Sequence, residues 1–137
     1  MPPGTPYDDD NPNAIALMNQ TKAIGAFIGA ELGDIGELIP CASVDCNYQR
    51  YYNNATSPAW EVMVVGAGHS QWVDGTGSGG RGGCGNGPQE TDIVQFLSYT
   101  IMVAWAEKTV YGRDISYWTS QWIAEMKALN YCDYRLK

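Results

Sequence analysis

One histidine occurs in this chain of 137 residues, and its setting is that of a proton carrier. It stands in the run Glu61, Val62, Met63, Val64, Val65, Gly66, Ala67, Gly68, His69, Ser70, Gln71, Trp72, Val73, Asp74. Imidazole titrates near neutral pH, at about 6.5 when unperturbed, so it can take and return a proton within one reaction cycle. The alternative for a lone histidine is a hydrogen-bonded loop residue without chemical duty. Four cysteines, Cys41, Cys46, Cys84 and Cys132, raise a second possibility, a metal site. Only Cys41 and Cys46 are close, as C-x4-C, and no second pair occurs, so the spacing speaks against zinc. Two disulfides are the better use of four thiols in an oxidising compartment, with three connectivities open. A literal G-x-G-x-x-G at Gly75, Gly77 and Gly80 lacks the strand before it and the helix after it that a phosphate cradle needs. We reject it as a nucleotide site.

The elements that would position His69 can be read from periodicity. Residues 62–65 form a short β-branched apolar run between Pro58 and the glycines Gly66 and Gly68, the pattern of a buried strand in a parallel sheet. In open α/β sheets functional groups collect beyond the carboxyl ends of such strands, which is where His69 would emerge. Residues 22–28 read as another strand, and residues 14–18 as a third, shorter one. Tyr48, Tyr51 and Tyr52 fall at helical spacing between Asp45 and Asn53 and predict a short helix whose tyrosines pack. Residues 90–111 predict a long helix with Ile93, Val94, Leu97, Ile101, Ala104 and Trp105 on one apolar stripe, Pro88 before it and Gly112 just past its end. A second helix over residues 115–129 would bury Trp118, Trp122, Ile123, Met126 and Leu129. Residues 1–12, with four prolines and Asp8, Asp9 and Asp10, read as an extended loop. Residues 74–87, with eight glycines, read as a flexible loop beside the histidine.

With its flanks, the histidine run resembles the C-terminal histidine loop of α/β-hydrolases, specifically the chlorophyllase-like esterases. Ala26-Phe27-Ile28-Gly29-Ala30-Glu31-Leu32-Gly33-Asp34 is similar to that family's apolar strand closing in Gly-x-x-Leu-Gly-acid. Ile39-Pro40-Cys41-Ala42 is similar to its Pro-Cys-Ala step, and the long helix resembles its terminal helix. The similarity runs over residues 20–112, as several weak motifs in register. It implies an α/β fold and a serine esterase in which His69 takes the proton of a serine hydroxyl and returns it to the leaving alcohol while a carboxylate holds the imidazole. Asp34 is the candidate acid within the chain, since it comes after one strand and precedes His69 by one helix and one strand; Glu31 and Glu37 are weaker choices. The family pattern itself puts the acid one strand earlier, near or before Met1.

The nucleophile of such an enzyme sits on a Gly-x-Ser-x-Gly elbow, and no such elbow occurs in these residues. The expectation is therefore the C-terminal portion of one α/β-hydrolase domain, with two or three parallel strands, three helices and an incomplete sheet. At about 30 residues or more per βαβ unit, 137 residues are too few for the whole sheet. The chemistry needs no cofactor and no metal. The expected partner is a small-molecule ester, with chlorophyll or another tetrapyrrole ester implied by the resemblance alone. A non-catalytic binding or interaction module derived from the same fold is the alternative, with the aromatic last helix as its contact face.

Composition narrows the classes further. A formal net charge of −7 offers no basic face for phosphates, so nucleic acid is not an expected partner. Hydrophobic residues make up 45%, enough for a core, yet no apolar run reaches the length of a membrane span. No targeting segment is recognisable at Met1. Formal glycosylation sequons at Asn19 and Asn54 favour the secretory route, while the resemblance leaves a plastid equally open.

Overall fold

The computed structural model describes residues 14–34, 41–42, 47–72 and 84–137. Three strands form one mixed sheet in the order β1-β2-β3: β1 is Gly25–Leu32, β2 is Ala59–Gly68 and β3 is Cys132–Leu136. β1 and β2 pair in parallel, and β3 lies antiparallel on the other side of β2. The helices are α1 (Ala14–Leu17), α2 (Tyr48–Asn54), α3 (Thr91–Tyr111) and α4 (Ile123–Ala128).

β-branched residues and Trp60 make β2 the centre of the core. Trp60, Val62 and Val64 alternate onto one face of the sheet, where they meet Val94, Leu97, Ile101 and Ala104 of α3 and Trp122 and Ile123. Each of these side chains is at most 7% exposed. The other face is covered by α2, which spans β1 and β2. α2 starts where it does because Asn47 caps it, its side chain accepting a hydrogen bond from the Gln49 N–H at 3.1 Å.

Several expectations from the sequence meet corrections. Residues 14–18 are not a strand: Ala14–Leu17 is a helical turn that tightens into a 3-10 turn at Met18–Gln20, too short a pattern for periodicity to separate the two. The third strand is instead Cys132–Leu136, and it is antiparallel, so the sheet is not all parallel. Five residues with charges at Asp133 and Arg135 carry no strong strand signal; pairing with β2 supplies the strand. The last helix is broken in character, since Trp118–Trp122 is π-helical before α4 begins, and Leu129 at its end is 58% exposed rather than buried. Among the described residues four α-helices stand where three were expected. Two disulfides using all four cysteines do not form: Cys41 bonds to Cys84, and Cys132 is a free, buried thiol. Cys46, the extended loop over residues 1–12 and most of the glycine-rich loop, up to residue 83, lie outside the described residues. No helix among the described residues is long and apolar enough to cross a membrane.

Candidate functional site

The carboxyl ends of β1 and β2 do not run evenly. Ala30 pairs with Val64, but Leu32 pairs with Gly68, so β2 carries extra residues in a bulge over Val65, Gly66 and Ala67. A bulge bends a strand and re-aims the residues beyond it. Here it brings the residue after Gly68, which is His69, alongside the segment that continues from Leu32. The bulge is held by its own backbone: Gly66, at φ 67°, donates its N–H to the Glu31 carboxylate at 2.8 Å, and its carbonyl accepts the Gln89 N–H at 3.1 Å. A left-handed φ is open to glycine at no steric cost, which explains this residue at this point.

His69 opens a 3-10 turn, His69–Trp72, directly at the end of β2, and its side chain is exposed. The turn is pinned from beneath by Gln71, only 1% exposed. Its Oε1 accepts the N–H groups of Gly68 at 2.6 Å and Gly87 at 2.8 Å, and its Nε2 donates to the Gln89 carbonyl at 2.6 Å. One amide side chain thus satisfies three backbone groups that the turn and the neighbouring loop leave unpaired. Ser70 donates its hydroxyl to the Cys84 carbonyl. The loop from Cys84 to Gly87 lies against the β2 end so closely that a Cβ at Gly87 would fall 1.9 Å from the Gly66 carbonyl oxygen and one at Gly68 2.4 Å from the Gly85 carbonyl oxygen. Trp72, at the end of the turn, donates its indole N–H to Ser98 Oγ of α3 at 2.7 Å, and Ser98 donates its own hydroxyl to the Val94 carbonyl at 2.8 Å.

His69 and Trp72 face a cavity of about 530 Å³. Its remaining walls come from β1 (residues 28–31), from the segment after it (Gly33, Asp34, Ala42) and from the start of α2 (Asn47, Tyr48, Gln49). Asp34 therefore shares a cavity with His69, although no hydrogen bond or ion pair joins the two among the described residues. Glu31 also lines it, but its carboxylate is engaged with Gly66. Glu37 lies outside the described residues. Burial pushes the Tyr48 phenol up to about 12, with the nearby Glu61 carboxylate acting in the same direction, so Tyr48 meets the cavity as a neutral hydroxyl at any physiological pH. The Cys41–Cys84 disulfide, with its Cα atoms 5.8 Å apart, ties the rim beside Ala42 to the loop that accepts Ser70.

The arrangement offers an imidazole at a cavity mouth, two carboxylates near it, and mixed apolar and polar walls, the usual make-up of a small-molecule site. No group of three metal-ligating side chains assembles among the described residues. Sequence reasoning did not single out Gln71 as the residue that fixes the histidine turn. The available signal was the pair of Gly-x-Gly steps, Gly66/Gly68 and Gly85/Gly87, which mark two backbones in contact. No family model, no curated protein and no solved structure matches this chain.

Proposed function

We propose that this chain is the histidine-bearing part of a serine carboxylic-ester hydrolase of the chlorophyllase-like kind, with His69 as the general base and acid. One observation carries the reading: the only imidazole sits on a braced turn at the carboxyl end of a parallel strand and faces a cavity large enough for an ester. A serine hydroxyl brought to this mouth would lose its proton to His69, and the leaving alcohol would regain it. Asp34 serves as the acid in this reading if it closes on the imidazole; otherwise an upstream carboxylate does. The nucleophile and oxyanion donors belong to residues outside this sequence, and a tetrapyrrole ester is the substrate the resemblance favours.

The test compares the 137-residue chain with a form extended upstream to include a Gly-x-Ser-x-Gly elbow, both assayed on a short p-nitrophenyl ester and on chlorophyll. Activity confined to the extended form, and reduced about 10³-fold or more by His69→Ala, supports the reading. Hydrolysis indifferent to that substitution refutes it.

A second reading, an interaction module, has its own observation. α3 leaves Phe96, Tyr99, Met102, Val103 and Val110 at least half exposed, opposite the residues it buries. Such a face suits a protein partner.

A further inference from the structure

The C-terminal strand lies on the far side of β2 from β1, yet Arg135 on it and Lys137 just past its end reach helix α2. Glu61, on central β2, is only 4% exposed and forms an ion pair with Arg135, its register partner on β3. The guanidinium of Arg135 also sits 4.7 Å from the ring centroid of Tyr52, in α2. Lys137 completes the contact. Its ammonium donates to the carbonyls of Tyr52 and, at 3.3 Å, of Asn53, and it lies 4.6 Å from the Tyr52 ring centroid. Those carbonyls belong to the last turn of α2, at the negative end of its dipole, and the Tyr52 carbonyl also accepts the Ala55 N–H at 3.1 Å, using its second lone pair for the lysine. The dipole favours a cation there, and the aromatic face adds cation–π attraction.

α2 is short, seven residues, and such helices owe their stability to packing rather than propensity. Its last turn is gripped by Arg135 and Lys137, and its first turn builds part of the His69 cavity through Asn47, Tyr48 and Gln49. Tyr48 rests in a notch of β1: a Cβ at Gly29 would fall 1.9 Å from its ring, so only glycine admits the ring at this depth. Phe27 adds an edge-on contact to Tyr52, with centroids 6.3 Å apart.

We infer that Arg135 and Lys137 are positioning residues for the cavity: by clamping the end of α2 to the sheet, they seat Tyr48 against Gly29 and set the wall that a ligand meets beside His69. The ligand-binding consequence rests on reading this cavity as the ester site, whereas the clamp itself does not. A helix of two turns moves as a unit, so freeing its far end lets the Tyr48 ring lift from the notch and widens the cavity. Affinity for the ester falls as a result, and the proton transfer at His69 is left intact.

The clamp is read by nuclear magnetic resonance on the 137-residue chain. The Gly29 α proton that occupies the Cβ direction points at the Tyr48 ring and should be displaced upfield while the ring is seated. Lys137→Met releases the α2 carbonyls without disturbing Glu61. The double variant Glu61→Gln with Arg135→Gln removes the cation while leaving no unpaired buried charge. Both should lose the Gly29 displacement and shift the ring signals of His69, the only histidine, with the Val62 and Val64 methyl signals unchanged on the opposite face. Lys137→Arg, which keeps a donor and a charge, should retain the displacement. Gly29 and His69 signals that stay in place while only the unfolding midpoint falls would overturn the clamp. In the form that hydrolyses p-nitrophenyl butyrate, Lys137→Met should raise KM several-fold with kcat unchanged, the signature of lost uniform binding. An unchanged KM would overturn the link from clamp to ligand. Absence of hydrolysis in the unsubstituted protein would count against the ester reading alone, since the Gly29 signal decides the clamp independently.

Discussion

Replacing Gln71 with leucine should destabilise this protein more than any substitution of comparable size on its surface. The side chain is 1% exposed and satisfies three backbone groups, the N–H of Gly68, the N–H of Gly87 and the carbonyl of Gln89. Leucine fills a similar volume and offers nothing to any of them. A buried polar group left without a partner costs about 1–3 kcal/mol. Gly68 is buried and bears the full penalty, whereas Gly87 and Gln89 are half-buried and recover part of it from water. The expected loss is about 4 kcal/mol, a large share of the roughly 5–15 kcal/mol that holds a domain folded. Urea unfolding followed by tryptophan fluorescence measures it, and hydrogen exchange locates it: the Gly68 and Gly87 amides should lose protection before those of Val62 and Val64. A Gln71→Leu protein within about 1 kcal/mol of the original, with Gly68 still protected, would refute the bracing role.

The same geometry fixes three further outcomes. Reducing the Cys41–Cys84 bond, which closes a loop between residues 43 apart, should lower stability by about 4 kcal/mol on the chain-entropy view, read as a fall in the urea midpoint. Gly66→Ala places a Cβ at φ 67° and should cost about 1–2 kcal/mol; an unchanged midpoint would show that the bulge relaxes freely. Cys132 is 2% exposed, and burial raises its thiol to about 12, so peptide mapping after iodoacetamide at pH 8 should find it unmodified in the folded protein and modified in urea.

Local features were legible in the sequence. The apolar run at Val62 to Val65 and the stripe through Val94, Leu97, Ile101 and Ala104 announced a buried strand and its covering helix, because burial on one or both faces imposes a period that survives without context. Tyr48, Tyr51 and Tyr52 announced α2 for the same reason, and the Gly-x-Gly exit put His69 at a strand end. Where the period was short or absent, the reading failed. Residues 14–18 are helical, Leu129 is exposed, and Cys132–Leu136 became a strand only because the open side of β2 offered unpaired N–H and C=O groups. The tertiary structure alone decided which cysteines meet, that Asp34 and His69 share a cavity, and that Gln71 underlies the histidine turn. Each of these joins residues from different segments, up to 43 apart, and none is specified by a residue pattern within one strand or helix. Hydrophobic periodicity is written along the chain; the positions of polar partners are set by where the packed elements leave backbone groups unsatisfied.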